Sequence, residues 1–90
     1  MSRVARIRAA LEEALAPETL VIEDDSAAHA GHAGAASGRG HFNLSIVSAA
    51  FRGLSPLARH RAVYAALGAL METDIHAVSI HARTPEESPL

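Results

Sequence analysis

The stretch HFNLSIVS, residues 41–48, alternates strictly between apolar and polar side chains. Because successive side chains of a strand point to opposite faces, this pattern predicts a half-buried strand with Phe42, Leu44 and Ile46 turned inward. The sheet that contains this strand should be covered on one face and open to solvent on the other. The rest of the chain must therefore supply partner strands and a one-sided layer of helices.

Two elements precede this strand. Apolar residues at helical spacing predict an amphipathic helix over residues 2–16, with Ser2 as its N-cap and Pro17 just past its end. The β-branched run TLVIE, residues 19–23, is followed by two aspartates. This combination predicts a first strand that ends in a turn.

A helix and a strand follow. A serine–proline pair provides an N-cap and a proline at the first helical position, and apolar residues continue at helical spacing from Leu57 through Tyr64 to Met71. Residues 49–54 are expected to add a short helical turn before this helix. The alternating residues 76–82 predict a third strand, which the helical crossover makes parallel to the second with a right-handed connection.

The predicted order, αββ(α)αβ, defines the fold class as α+β, with a three-stranded mixed sheet and helices packed on one face. Ninety residues are enough for a single domain, 1–90, and too few for two. The tail, residues 84–90, contains two prolines and is expected to fray. The first two strands form a hairpin with a long connection, and such connections are usually functional or disordered.

This connection, residues 26–40, is rich in glycine and histidine. It contains four glycines together with His29 and His32, and His41 follows directly after it. The segment has no periodicity and predicts a flexible loop. Neutral imidazole is a common metal ligand, so these histidines are candidate ligands. A zinc site within this chain alone is disfavoured, because zinc needs about four rigidly held ligands.

Composition limits the function classes. The chain has no cysteine, so it cannot build a thiolate metal site alone. It also lacks the motifs of common nucleophilic enzymes, and an enzyme is not expected. All eight basic residues are arginine, a bias typical of a GC-rich bacterial genome. No apolar run long enough for a signal peptide or a membrane span is present, so a cytoplasmic location is expected.

His76 begins the third predicted strand. Its place in the alternation matches Val78 and Ile80, so it either caps the edge of the core or has a functional role. Because neighbouring parallel strands begin at the same end of a sheet, we expect His76 near the start of the second strand, where His41 and the loop emerge. By contrast, Arg59 and Arg61 flank His60 on the predicted helix and diverge, because successive residues turn by about 100°. A structural or solvated role is favoured for that trio.

Several sequence motifs follow one another in a specific order along the chain. VIEDDS is followed by the histidine-containing loop, then by HFNLSIVSAAFRGLSPLARHRAVYAAL and by IHAVSI. The most specific pattern consists of Phe51, Gly53, Ser55, Leu57, Arg59, His60, Arg61, Val63 and Tyr64, followed by Ile75, His76 and Ala77. This series resembles the BolA family over nearly the entire chain, and the absence of cysteine corresponds to the histidine-loop type.

The resemblance implies a class II KH-like αββααβ fold and a partner. BolA proteins pair with monothiol glutaredoxins and share a bridging 2Fe-2S cluster, with roles in iron regulation and cluster trafficking. Glutaredoxin and its bound glutathione would supply the thiolates, while this chain would supply His76 and one loop histidine. Counting from the Asp-Ser pair that closes the first strand places the loop ligand on His29, with His32 and His41 as alternatives. No cofactor is expected in the isolated protein.

The alternative interpretation is a KH-like nucleic-acid-binding transcriptional regulator with DNA as its partner, since some BolA relatives are described as transcription factors. The candidate phosphate contacts are Arg52, Arg59, Arg61 and Arg83. Such binding would weaken steeply with salt. A net charge of −2 at pH 7 and the scarcity of aromatic side chains argue against strong binding.

Overall fold

The chain forms its elements in the order helix, two strands, helices, strand. Helix α1 spans Arg3–Leu15, strand β1 spans Thr19–Asp24 and strand β2 spans Gly40–Val47. A short 3₁₀ helix, Ala49–Phe51, precedes helices α2, Pro56–Leu67, and α3, Leu70–Thr73, and strand β3 spans Ile75–Arg83. This computed structural model describes residues 2–26 and 39–87. The predicted α+β class and the order of its elements are confirmed.

The three strands form one sheet with β2 at its centre. β1 pairs with β2 antiparallel, and β3 pairs with β2 parallel, as the crossover predicted. Phe42, Leu44 and Ile46 are buried on the helix side, which confirms the inward face of the alternation. On the opposite face Val21 is 53% exposed, so this face of the sheet is open to solvent.

Helix α1 packs on the covered face. The side chain of Ser2 accepts a hydrogen bond from the backbone N–H of Ala5 at 3.0 Å, which caps the helix as predicted. Its apolar stripe of Ile7, Leu11 and Leu15 is buried in the core. These contacts hold the helix against the covered face of the sheet.

Helix α2 is shorter than the apolar pattern predicted. The helix ends at Leu67, because Gly68 adopts a positive φ of 52° and its N–H closes the last turn on the carbonyl of Tyr64. The prediction of continuous helical spacing to Met71 is therefore wrong, and a separate helix, α3, follows. Leu57 and Tyr64 are 59% and 42% exposed, so neither is part of the buried face of α2.

The segment after β3 is held in a turn. The N–H of Thr84 donates to Oε1 of Glu87 at 2.8 Å, and the N–H of Glu87 donates to the carbonyl of Thr84 at 3.0 Å. Thr84 is only 6% exposed. Residues 84–87 thus form a hydrogen-bonded turn, and residues 88–90 lie outside the described chain, so the fraying expected for residues 84–90 stays a prediction.

Candidate functional site

The amino ends of β2 and β3 and the carboxyl end of β1 meet at one edge of the sheet, here named the histidine edge. Asp24 pairs with Phe42 across β1 and β2, and Gly40 pairs with Ile75 across β2 and β3. The edge carries two imidazoles, since the ring centroids of His41 and His76 lie 5.2 Å apart with their planes inclined by 49°. The strand order thus places His76 beside the start of β2, as the parallel topology predicted.

A β-bulge orients His76. Gly40 pairs with Ile75 and the next residue, His41, pairs with Ala77, so His76 is an extra residue on β3. Ile75 is fully buried, whereas His76 and Ala77 are both exposed. The predicted alternation of His76 with Val78 and Ile80 is therefore wrong, because the bulge changes the parity of the strand. The imidazole of His76 faces solvent instead of the core edge.

His41 is more enclosed than His76. His41 as a whole is half-buried, and its Nε2 atom is buried. This nitrogen can therefore reach an external ligand only if the ring rotates. The backbone of His41 is held on both sides, because its carbonyl accepts from the N–H of Asp25 at 2.8 Å and its N–H donates to Oγ of Ser26 at 3.1 Å. His76 is consequently the more accessible imidazole of the pair.

The two ends of the predicted loop lie against each other. A Cβ atom at Gly40 would lie 2.6 Å from Oγ of Ser26 and 2.7 Å from the ring of Phe42, so only glycine fits at this crossing. The Ser26 N–H also donates to Oδ1 of Asp24 at 2.9 Å, and hydrogen bonds from the Ser26 side chain and backbone lower the pKa of Asp24. The chain therefore leaves and re-enters the sheet at the histidine edge.

The two histidines within the predicted loop lie outside the described residues. His29 and His32 fall within residues 27–38, which lie outside the described chain. The assignment of His29 as the loop ligand, with His32 as an alternative, remains a prediction. The positions of Ser26 and Gly40 show where the segment that contains these two histidines begins and ends.

A buried carboxylate fixes the chain just before His76. Asp74 is 7% exposed and accepts hydrogen bonds from Nε of Arg6 at 2.8 Å and from Oγ1 of Thr73 at 2.7 Å. The Thr73 hydroxyl and the Arg6 guanidinium hold the pKa of Asp74 below its usual range. Sequence reasoning missed this contact, because 68 positions separate Arg6 from Asp74 and no local motif connects them.

The remaining described histidines lie elsewhere. His60 is half-buried on α2, and His81 is exposed further along β3, where it pairs with Ser45. Within residues 2–26 and 39–87, no group of three or more histidine, cysteine, aspartate and glutamate side chains could hold a metal ion. The described side chains at the histidine edge thus offer two imidazoles, from His41 and His76.

Two of the four arginines proposed for nucleic-acid binding are paired with carboxylates. Arg52 donates to Glu86 through Nε at 2.8 Å and through Nη2 at 2.5 Å. Arg59 donates to Glu87, and its side chain is only 14% exposed. Arg61 and Arg83 are exposed on different elements, α2 and β3. These ion pairs reduce the positive charge available for phosphate contacts.

The architecture defines a class of small α+β proteins in which helices cover one face of a mixed three-stranded sheet. A family model described as BolA-like protein matches residues 11–87. The chain is similar to a solved structure, the BolA domain of SufE1 from Arabidopsis thaliana, with a TM-score of 0.85, 47% identity and 98% of each chain covered. This chain belongs to the BolA-like family.

Curated relatives support the same assignment. Over 98% of its length the chain is 48% identical to the chloroplastic protein BOLA1 of Arabidopsis thaliana, and it covers 57% of that protein. Over 92% of its length it is 47% identical to human BolA-like protein 1, of which it covers 58%. The chain thus spans somewhat more than half the length of these relatives.

No helix in the described parts of the chain is long and apolar enough to cross a membrane. One relative is named as chloroplastic and another comes from a mammal. The expected cytoplasmic location and bacterial source therefore remain predictions.

Proposed function

We propose that this protein is a BolA-like adaptor that pairs with a monothiol glutaredoxin and co-ligates a bridging 2Fe-2S cluster, in iron-sulfur cluster trafficking or iron regulation. His76 supplies one iron ligand. A histidine from the connection between β1 and β2 supplies the second, with His29 as the first candidate and His32 and His41 as alternatives. The glutaredoxin and its glutathione supply the sulfur ligands, because this chain contains no cysteine.

The observation that carries this proposal is the bulge at His76. It turns an imidazole out of the sheet at the edge where the histidine-containing connection begins and ends. Bulges commonly re-aim a side chain next to a functional site. His41, with its ring centroid 5.2 Å from that of His76, adds a second imidazole to the same edge.

The residues present fit the cluster that the family implies. Neutral imidazole is a good ligand for iron, and the exposed ring of His76 can be reached by a partner without disturbing the core. When bound, a cluster with two imidazole ligands on one iron has a raised reduction potential, as in Rieske centres. The protein's own contribution is to orient its histidines at the histidine edge, where neutral imidazole would bind iron.

A titration of cluster-loaded monothiol glutaredoxin with this protein tests the proposal. Visible circular dichroism should change from the spectrum of the glutaredoxin homodimer to that of a heterodimer. Replacing His76 by alanine removes an iron ligand, so the spectrum should remain close to that of the homodimer, and His29→Ala should act in the same direction.

His81→Ala is the matched control, because His81 is an exposed histidine on the same strand away from the histidine edge. It should give the wild-type spectrum. A wild-type titration without spectral change would contradict the proposed function. If the heterodimer spectrum forms unchanged with both His76→Ala and His29→Ala, the ligand assignment is wrong.

A further inference from the structure

We propose that Asp74 is a positioning residue for His76, and that the Arg6–Asp74 ion pair couples helix α1 to the histidine edge. The effect of this positioning on cluster binding rests on the proposed function. The positioning itself concerns the isolated protein. No part of it requires Asp74 to touch the cluster.

Asp74 connects three elements at one point. Its carboxylate accepts hydrogen bonds from Nε and Nη2 of Arg6 on α1 and from Oγ1 of Thr73 at the end of α3. Its backbone carbonyl accepts from the N–H of Gly40, the first residue of β2, at 2.9 Å. Its own N–H donates to the carbonyl of Leu70 at 2.9 Å, which closes α3. The start of β3 is thereby fixed to the start of β2.

The bulge makes His76 dependent on this anchor. An extra residue in a bulge has no partner opposite it in the ladder, so its orientation is set by the residues on either side. On the carboxyl side, Ala77 pairs with His41. On the amino side, Ile75 pairs with Gly40, and the fixed point that precedes it is Asp74. A shift of Asp74 therefore displaces His76 and Gly40 together.

The geometry of the ion pair suits a positioning role. Nε and Nη2 of Arg6 both donate to Oδ2 of Asp74, while Oγ1 of Thr73 donates to Oδ1, so both carboxylate oxygens are held by hydrogen bonds. Asp74 is nearly buried, whereas the Arg6 side chain is 40% exposed, so Arg6 can be replaced without opening the core. Arg8, two residues further on the same helix, donates instead to the carbonyl of Leu20 at 3.3 Å. Arg8 is therefore a matched control for the replacement of Arg6.

The test compares Arg6→Gln with Arg8→Gln, which change charge and helix composition equally. The N–H of Gly40 donates to the carbonyl of Asp74, and Arg6→Gln removes the charge-assisted hydrogen bonds that hold Asp74. In the isolated protein, hydrogen exchange of the Gly40 amide should therefore accelerate about tenfold in Arg6→Gln. The ring resonances of His76 should shift in the same variant. Both quantities should stay at wild-type values in Arg8→Gln, and far-UV circular dichroism should be unchanged in both variants.

With cluster-loaded glutaredoxin, Arg6→Gln should need about tenfold more protein than wild type to reach the heterodimer spectrum. Asp74→Asn, if it folds, should act in the same direction, and if it does not fold, Arg6→Gln decides alone. The inference is overturned if Arg6→Gln matches Arg8→Gln in Gly40 exchange and in His76 resonances. A wild-type protein that fails to change the glutaredoxin spectrum would refute the proposed function, while the measurements on the isolated protein would still decide the positioning role.

Discussion

At the scale of single residues, the β-bulge at His76 determines that its imidazole is exposed to solvent. Ile75 and Ala77 pair with consecutive residues of β2, so the imidazole between them faces outward although its neighbour Ile75 is buried. Strand order alone predicts that His76 lies near His41, because parallel strands start at the same edge. The bulge could not be predicted from the sequence, since alternation within one strand contains no information about which residues of the neighbouring strand pair with it.

Gly40 is the residue that allows the chain to cross at this edge. Replacing it by alanine places a methyl group 2.6 Å from Oγ of Ser26 and 2.7 Å from the ring of Phe42. We expect Gly40→Ala to lower the free energy of unfolding by about 1–3 kcal/mol, the usual cost of overpacking. Urea denaturation followed by circular dichroism measures this loss.

A double-mutant cycle serves as the control for Gly40→Ala. In a Ser26→Ala background the hydroxyl that the new methyl group meets is absent, so the cost of Gly40→Ala should be smaller. A Gly40→Ala variant as stable as the wild type would show that Ser26 and Phe42 can move away at little cost, and that the crossing does not require glycine.

At the scale of elements, Arg59 connects α2 to β3 and to the turn that follows it. Arg59 donates to the carbonyl of Leu54 at 3.0 Å and to that of Ala82 at 3.2 Å, and it also pairs with Glu87. The guanidinium of Arg59 thus contacts three segments of the chain. These contacts hold α2, the end of β3 and the following turn together as one unit. Arg59 therefore has a packing role in this structure.

This arrangement predicts a pH dependence. The hydrogen bond from Arg59, followed by that from the backbone of Thr84, lowers the pKa of Glu87 from 4.5 to about 2. A carboxyl with a lowered folded-state pKa stabilises the protein above its unfolded pKa, and this stabilisation is lost as the pH falls through the folded-state value. The difference in Tm between wild type and Glu87→Gln should be constant from pH 7 to pH 5 and disappear near pH 2.

Thermal unfolding at several pH values measures this difference. A Glu87→Gln variant that tracks the wild type at every pH would indicate that the turn after β3 is held by its backbone hydrogen bonds alone.

The predictable elements were those with strong local signals. Ser2 and the helical stripe of α1 located the first helix, and the alternation of β2 located the inward face of the sheet. The end of α2 at Gly68 was missed, because the apolar pattern continues through Leu70 and Met71 although the backbone turns at the glycine. The turn at 84–87 was missed because one of its contacts is to Arg59, a residue distant in the sequence.

At the scale of the whole molecule, the core and the candidate site are separated. The buried aliphatic and aromatic side chains lie between the helices and the covered face of the sheet, whereas His76 lies exposed at the histidine edge. A partner can therefore contact the site without disturbing the core. Because this chain contains no cysteine, the proposed function assigns the sulfur ligands of the cluster to the glutaredoxin and to glutathione.

The most direct measurement of the central claim is pulsed electron paramagnetic resonance of the reduced heterodimer. This chain is labelled with ¹⁵N-histidine, and the glutaredoxin is left unlabelled. The spectrum should show ¹⁵N hyperfine couplings to the cluster. His76→Ala should abolish them, because the cluster then stays in the glutaredoxin homodimer, whereas His81→Ala should leave them in place. A cluster without ¹⁵N coupling from this chain would contradict histidine ligation by the protein.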